Sequence, residues 1–386
     1  MMRIGKIKFD RNELSGSFGD IGTDLPLLIG IILASGIDTA SALIMFGLMQ
    51  VLTAVKYSIP MSVQPLKAFA TIVIAQKLTG DVIFAGGLVI GIIMFLLTIS
   101  GLIEKLAVLV PKPVVRGIQF GLGIQLSMLA IKNYIGLGSL EAYVLSGVAF
   151  IVGLLLLGNR KYPPAIFIIL LGVVYAIFRT DVQSGKIISG IKLHWPQLHY
   201  HFKMADMLTG FFLLALPQIP LSLGNSILAT RQIVRDLFPE KKLTASKISM
   251  TYSLMNIINP FFCGIPTCHG SGGMAGHYIF GARTAGSIVI YGSFFLITGL
   301  FFSDNFQIIV KLFPLPVLGV ILFFESLTLI SLIKDVATQK NDLFTALAVG
   351  LICAFLPFGY GIGLMYGLVL HYCRLPRMQQ VIEDIK

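Results

Sequence analysis

Apolar runs of helical length, separated by short polar or basic stretches, recur along the whole chain. They fall near 14–35, 39–57, 66–78, 83–103, 114–131, 142–158 and 163–178, and again near 206–228, 245–262, 272–281, 285–302, 314–333, 343–356 and 360–373. A helix needs about 20 apolar residues to cross a bilayer. The third run of each set is too short, and each follows an Ile-Pro and a polar patch: YSIPMSVQPLKAFA from Tyr57 to Ala70, and GIPTCHGSGGMAG from Gly264 to Gly276. These two read as half-helices, the third and tenth of fourteen segments. Irregular backbone at membrane depth is tolerated where protein buries it or where it lines a polar cavity. A lone break is more often a kink or a tight helix contact; paired breaks at corresponding places in two halves point to a ligand site. The last two runs read either as two spans or as one bent hairpin.

An internal repeat supports the same division. Leu14 to Phe18 and Pro26-Leu27 match Leu208 to Phe212 and Pro220-Leu221; Ile59-Pro60 matches Ile265-Pro266; Pro111 to Val114 matches Pro314 to Val317. With an odd number of segments per unit, the second unit is inserted upside down relative to the first. The expected fold is therefore all-α and polytopic, two inverted repeats of seven with half-helices three and ten meeting at midplane, an arrangement typical of secondary transporters.

Composition agrees, with 56% hydrophobic and 12% charged residues among 386. The net charge of +11 is a matter of placement: basic residues such as Arg3, Lys6, Arg116, Arg231 and Arg283 collect on one face, leaving Lys77, Lys132 and Arg179 on the other. That bias puts both termini in the cytoplasm and makes the high pI a positive-inside rim, not a nucleic-acid surface. The charged start lacks a cleavable signal pattern. Cys263, Cys268, Cys353 and Cys373 lack extracellular pair spacing, so no disulfide framework is expected. His194, Trp195, His199 and His201 in the loop 179–205 read as an interfacial loop, with a metal site the minority reading because the usual ligand set is missing.

The patches themselves suggest anion chemistry. Half-helices starting near Pro65 and Ser271 would each aim free N–H groups and a positive dipole end at one cavity. Gly270, Gly272 and Gly273 allow close approach to the backbone, and Gln64, Ser271 and Thr267 add neutral donors. Such a site suits a tetrahedral dianion. Lys67 either faces the anion, snorkels, or pairs with a carboxylate. His269 reads as a hydrogen-bonding wall, and thiolate ligation by Cys268 as the weaker alternative. Intramembrane carboxylates are costly and usually functional: Asp20 and Asp24, four apart on segment one and so expected on one face, and Glu325. Each is a coupling candidate or a structural partner, Asp24 as the neutraliser of Lys67. Gln218, which matches Asp24 across the repeat, joins the candidate binding set, and Asn225, after the Pro-Gln-Ile-Pro break, shapes the site or caps that break.

ELSGSFGDIGTDLPL at 13–27, PMSVQPLKA at 60–68, PQIPLSLGNS at 217–226 and IPTCHGSGGMAGHYIFGAR at 265–283 together resemble the molybdate transporter family, within the sulfate permease superfamily. The resemblance runs over nearly the whole chain. It implies the sulfate and uracil permease fold: repeat one over 1–179, an outer loop 180–205, repeat two over 206–373 and a short cytoplasmic tail 374–386. A core domain would come from segments 1–4 and 8–11 and a gate domain from 5–7 and 12–14. It implies a secondary transporter of molybdate in the cell (inner) membrane, working by an elevator movement and coupled to protons. Sulfate and tungstate are the related substrates; a sulfate or nucleobase carrier of the same fold and an anion channel are the alternatives. No cofactor, metal or enzymatic activity is expected, and a homodimer would form through the gate domain.

Overall fold

The computed structural model describes residues 7–135, 139–159, 162, 164–179, 191–306, 310 and 313–373. Arg3, Lys6, the loop's first part to 190 and the tail beyond Cys373 lie outside the described residues. The first apolar run is two helices, α1 (Arg11–Ser17) and α2 (Ile21–Ser35), bent by 42°. It is followed by α3 (Thr39–Tyr57), a three-residue strand β1 (Val63–Pro65), the short α4 (Lys67–Gln76), α5 (Gly80–Ile99), an extra helix α6 (Leu102–Leu109), α7 (Lys112–Leu129), α8 (Leu140–Leu156) and α9 (Pro164–Arg179). The second half holds α10 (Met204–Leu237), α11 (Ala245–Ile258), strand β2 (Thr267–His269), the short α12 (Ser271–Ile279), α13 (Gly286–Phe301), α14 (Leu315–Ser331), α15 (Lys340–Phe355) and α16 (Gly359–Cys373). Among the described residues five helices are single apolar pieces of membrane-crossing length, α3, α5, α7 with its following turn, α10 and α14 with its following turn, and the bent α1–α2 pair makes a sixth. The chain is an integral multi-pass membrane protein. The last two runs are the helices α15 and α16, joined by a short connection at 356–358.

Local chemistry explains the interruptions. Ser58 and Cys263 both adopt the left-handed conformation, at φ 57° and 51°, which ends a helix because the next residue can no longer continue it. Each is followed within two residues by Ile-Pro, whose proline supplies no N–H and biases the residue before it to extended backbone. The Pro217 and Pro220 region does not break its helix, contrary to the sequence expectation. There α10 runs on through two wide π turns, Gly210–Ala215 and Ser222–Ala229, flanking the prolines. Inserting one residue per turn accommodates the missing donors and the ring clash.

Packing relies on close backbone approach, as expected where lipid supplies no hydrophobic contrast. A Cβ on Gly47 of α3 would come within 2.5 Å of Gly292 O on α13. On the opposite periphery, Val144, Ile151 and Leu155 of α8 and Leu170, Ile177 and Phe178 of α9 are exposed, a lipid-facing surface. Residues 191–203 lie extended past the ends of α11 and α13, His194 N donating to Leu300 O and His199 N to Phe261 O.

Candidate functional site

The two interrupted stretches meet as an antiparallel pair, Val63 opposite His269, Gln64 opposite Cys268 and Pro65 opposite Thr267. All six residues are buried. Buried backbone must find partners, and here two amide side chains provide them. Gln50 of α3 donates Nε2 to Val63 O at 2.7 Å and accepts from Val63 N at 3.1 Å. Asn256 of α11 does the same for Thr267, with Nδ2 to its carbonyl at 2.6 Å and Oδ1 from its N–H at 2.9 Å. Asn259 Nδ2 adds a bond to Ile265 O at 2.9 Å. Sequence reasoning passed over these residues; the available signal was a lone amide in the apolar helix preceding each break.

From this ladder α4 and α12 depart. Their N-cap residues, Leu66 and Gly270, give no side-chain cap, so the opening N–H groups look to other elements or to a ligand. At α4 one is already taken: Gln218 Oε1 accepts from Phe69 N at 3.1 Å, while its Nε2 donates to Ser222. Gln218 is thus a remote helix cap, a more specific role than the anion donor expected of it. At α12, Ser271 Oγ donates to Asn225 Oδ1 at 2.7 Å. His269 lies with Nδ1 3.2 Å from Ser62 O and Nε2 2.7 Å from Thr251 Oγ1. A carbonyl only accepts, so Nδ1 carries a proton, and the ring is pinned between Ser62 and Thr251.

The glycines have a reason visible only in three dimensions. A Cβ added to Gly270 would fall on the Gln64 amide, one on Gly273 on the Asp20 carboxylate, and one on Gly272 on Glu325 Oε1. The space beside these residues is filled by the chain's own polar groups. Asp20 stands at the bend as the N-cap residue of α2, its side chain turned from the helix to take a 2.6 Å bond from Gln64 Nε2. Asp24 accepts from Tyr291 at 3.1 Å, and Glu325 of α14 accepts from Thr23 at 3.2 Å. Asp20 and Asp24 therefore address different partners despite their spacing. Asp20 Oδ2, Asp24 Oδ1, Gln64 Oε1, Lys67 Nζ and Glu325 Oε1 are buried atoms without a hydrogen bond among the described residues. Lys67 makes no contact of ion-pair length with Asp24 there, so the expected neutralising pair is not formed. Its side chain instead borders a cavity of about 520 Å³ between α4, α10, α15 and α16, shared with Thr71, Gln125, Pro217, Pro220 and Tyr360. Among the described residues no three His, Cys, Asp or Glu side chains converge as metal ligands.

Three buried carboxylates, one lysine and two half-helix starts held on one ladder make a polar centre inside an apolar protein, with a cavity bordering its lysine. The family model described as "Molybdate transporter of MFS superfamily" matches residues 12–126 and 210–329. Molybdate transporter 2 of Arabidopsis thaliana is 32% identical, covering 93% of this chain and 87% of that protein. Molybdate transporter 1 of the same plant is 33% identical over 87% and 82%. Among solved structures, the transmembrane domain of the cyanobacterial bicarbonate transporter BicA is similar at a TM-score of 0.58 and 16% identity, covering 93% of this chain and 97% of that one. SLC26A9 gives 0.60 and 14%, covering 94% and 65%. At those identities the structural likeness speaks for the fold.

Proposed function

Because the chain belongs to the molybdate transporter family, we propose that it carries molybdate across the membrane as a secondary transporter, binding the dianion where α4 and α12 begin. It is not an enzyme. The observation that carries this reading is the β1–β2 ladder, which holds two half-helix starts together at one buried place, neither capped by its own N-cap side chain and the α4 start lying beside a cavity. Backbone N–H groups and dipole ends recognise a tetrahedral oxyanion without a matching set of fixed cations. Sulfate and tungstate present the same shape and charge and are the natural competitors.

The topology that fits is fourteen segments in two inverted repeats. The matched amide brackets support it: Gln50 serves β1 from the helix before the first break, and Asn256 serves β2 from the helix before the second. In this reading segments 1–4 and 8–11 form a core that slides as an elevator against a gate of segments 5–7 and 12–14, with both termini cytoplasmic. Charge arithmetic favours proton coupling. A dianion joining Asp20, Asp24 and Glu325 around one Lys67 would leave a desolvated excess of negative charge unless protons enter too.

Uptake of labelled molybdate into proteoliposomes, with sulfate as competitor and an imposed pH gradient, tests the reading. Saturable uptake accelerated by an inward proton gradient is expected. Unsaturable anion current would favour a channel, and no molybdate uptake would remove the substrate assignment.

A further inference from the structure

Among the three carboxylates, Glu325 differs in where it comes from. Asp20 and Asp24 flank the bend of α2, whereas Glu325 sits on α14 and reaches across to the other side of the site. Its Oε2 takes the Thr23 hydroxyl of α2, and its Oε1 lies against Gly272, the second residue of α12, with no hydrogen bond among the described residues. Its Cγ also abuts Gly276 one turn on. The side chain is fully shielded. A carboxylate beside the first turn of a helix occupies the field that a bound anion would use.

We propose that Glu325 is a resident competitor for the opening turn of α12: its ionised carboxylate and the oxyanion exclude each other, so that anion binding takes up one proton at Glu325. The proposal rests on the anion site assigned above. It identifies which of the three carboxylates answers to substrate and links that answer to α14, the helix opposite the half-helices. The proton adds to the free oxygen Oε1, converting a like-charge neighbour into a neutral donor, and comes from bulk water as the anion enters. The titratable groups around Glu325 are Asp20 and Asp24 of α2, Lys67 of α4, Tyr134 after α7, Tyr291 of α13 and His277 of α12. Lys67 is the one cation of that set able to offset it without a proton. Asp20 is less suited to the role because Gln64 holds one of its oxygens, and Asp24 because Tyr291 donates to it.

The test is molybdate binding to the purified protein by calorimetry across roughly pH 6 to 8, with the proton count taken from buffers of different ionisation enthalpy. Linkage to one proton makes affinity rise up to about tenfold per pH unit as pH falls. The parent should show that slope and an uptake of about one proton. Glu325→Gln should bind at the upper pH as tightly as the parent does at the lower, with no slope and no proton uptake, while Glu104→Gln, a carboxylate change on α6 outside the site, keeps both. A folded Glu325→Gln that retains the parent's slope, or binds more weakly at every pH, overturns the proposal. Should Glu325→Gln not fold, Glu325→Asp withdraws the carboxylate by one methylene. Tighter binding than the parent at the upper pH supports the competitor role, and unchanged binding overturns it. Ser271→Asp separates the two levels: if it binds molybdate like the parent, the anion site itself is misplaced. If it abolishes binding while Glu325→Gln keeps the slope, only the competitor role fails.

Discussion

Arg116 of α7, fully shielded from solvent, donates from one guanidinium nitrogen to Asp236 at the foot of α10 and to Asp335 just beyond α14, and from the other to Gln119 Oε1 at 2.8 Å. One side chain thereby ties three helices that are far apart in sequence, with Lys112 lying 3.5 Å from the shared Asp335. In the proposed division, α10 belongs to the sliding core and α7 and α14 to the gate, so the Asp236 bond crosses the sliding surface. A buried cation that loses all its partners costs about 3–5 kcal/mol, but one that keeps a carboxylate loses far less. Asp236→Asn should therefore fold with nearly the parent's thermal stability, whereas Asp236→Asn combined with Asp335→Asn should melt well below the sum of the single effects. Additive single effects in a thermal-shift double-mutant cycle would refute the shared role.

The amide brackets make a second prediction. Gln50→Leu or Asn256→Leu removes both partners of one strand residue, leaving a buried N–H and a buried C=O unmet, at about 1–3 kcal/mol each. Either change should lower detergent-solubilised stability and weaken molybdate binding, although neither side chain touches the proposed anion position. Melting temperature and calorimetric affinity, measured on the same preparation, should fall together.

Charge and hydroxyl at α12 should separate cleanly. Ser271→Ala loses one neutral hydrogen bond, to Asn225, worth about 1 kcal/mol or roughly fivefold in affinity. Ser271→Asp places a negative charge at the helix start, and like-charge juxtaposition at a desolvated site costs several kcal/mol. Gln64→Glu sets a second carboxylate against Asp20 and should behave like Ser271→Asp, while Gln64→Ala should only weaken binding. Titration with molybdate ranks the four variants.

Gly273→Ala is expected to be worse than any of these point losses. The new methyl would strike the Asp20 carboxylate and the Ser62 hydroxyl, both wedged among buried neighbours. Gly36→Ala offers the contrast: nothing lies within 4 Å of its Cβ position, and its cost comes only from a left-handed φ of 67°. Fluorescence-detected size exclusion should show Gly273→Ala poorly folded and Gly36→Ala close to the parent.

A pH effect on stability should arise at Glu104 on the short helix α6. Partial burial acts to raise its carboxyl, but the bonds from Ser246 at the start of α11 and the nearby Arg231 win, holding it below the usual carboxylate range. A depressed folded-state value means stability that is present above the unfolded value and is lost as pH falls through the folded one. Glu104→Gln should thus melt slightly below the parent near neutral pH and converge with it below about pH 4. A difference that persists at acid pH would mean the contact acts through shape rather than charge.

Much of this architecture could be read from residue order because membranes make hydrophobic length so informative. The short runs at 66–78 and 272–281 became α4 and α12 within two residues at each end, and the pairing of their breaks announced where the polar centre would lie. What stayed hidden were relationships that need three dimensions. Three-residue strands carry no period, so nothing in VQP or TCH shows that they pair with each other. The Pro-Gln-Ile-Pro motif looked like a break because a π turn has no sequence signature distinct from one. That Gln218 also bonds the first turn of α4 has no signal in its sequence, and Arg116 seemed a rim charge until its burial was visible. Asp20 and Asp24 both lie at the start of α2, just past the 42° bend, and that each bonds a different side chain, Gln64 and Tyr291, could not be read from their spacing.

The β1–β2 ladder also sets a clock on biogenesis. Ser62 and His269, which touch across the site, are 207 residues apart, so at about 5–20 residues per second a ribosome spends roughly 10 to 40 s between them. During that interval Val63–Pro65 is a short strand with no mate, held by Gln50 and by the bond from Gln64 to Asp20. A nascent first half is therefore half of a bracket waiting in the membrane, and the proposed anion site closes only when Thr267–His269 arrives.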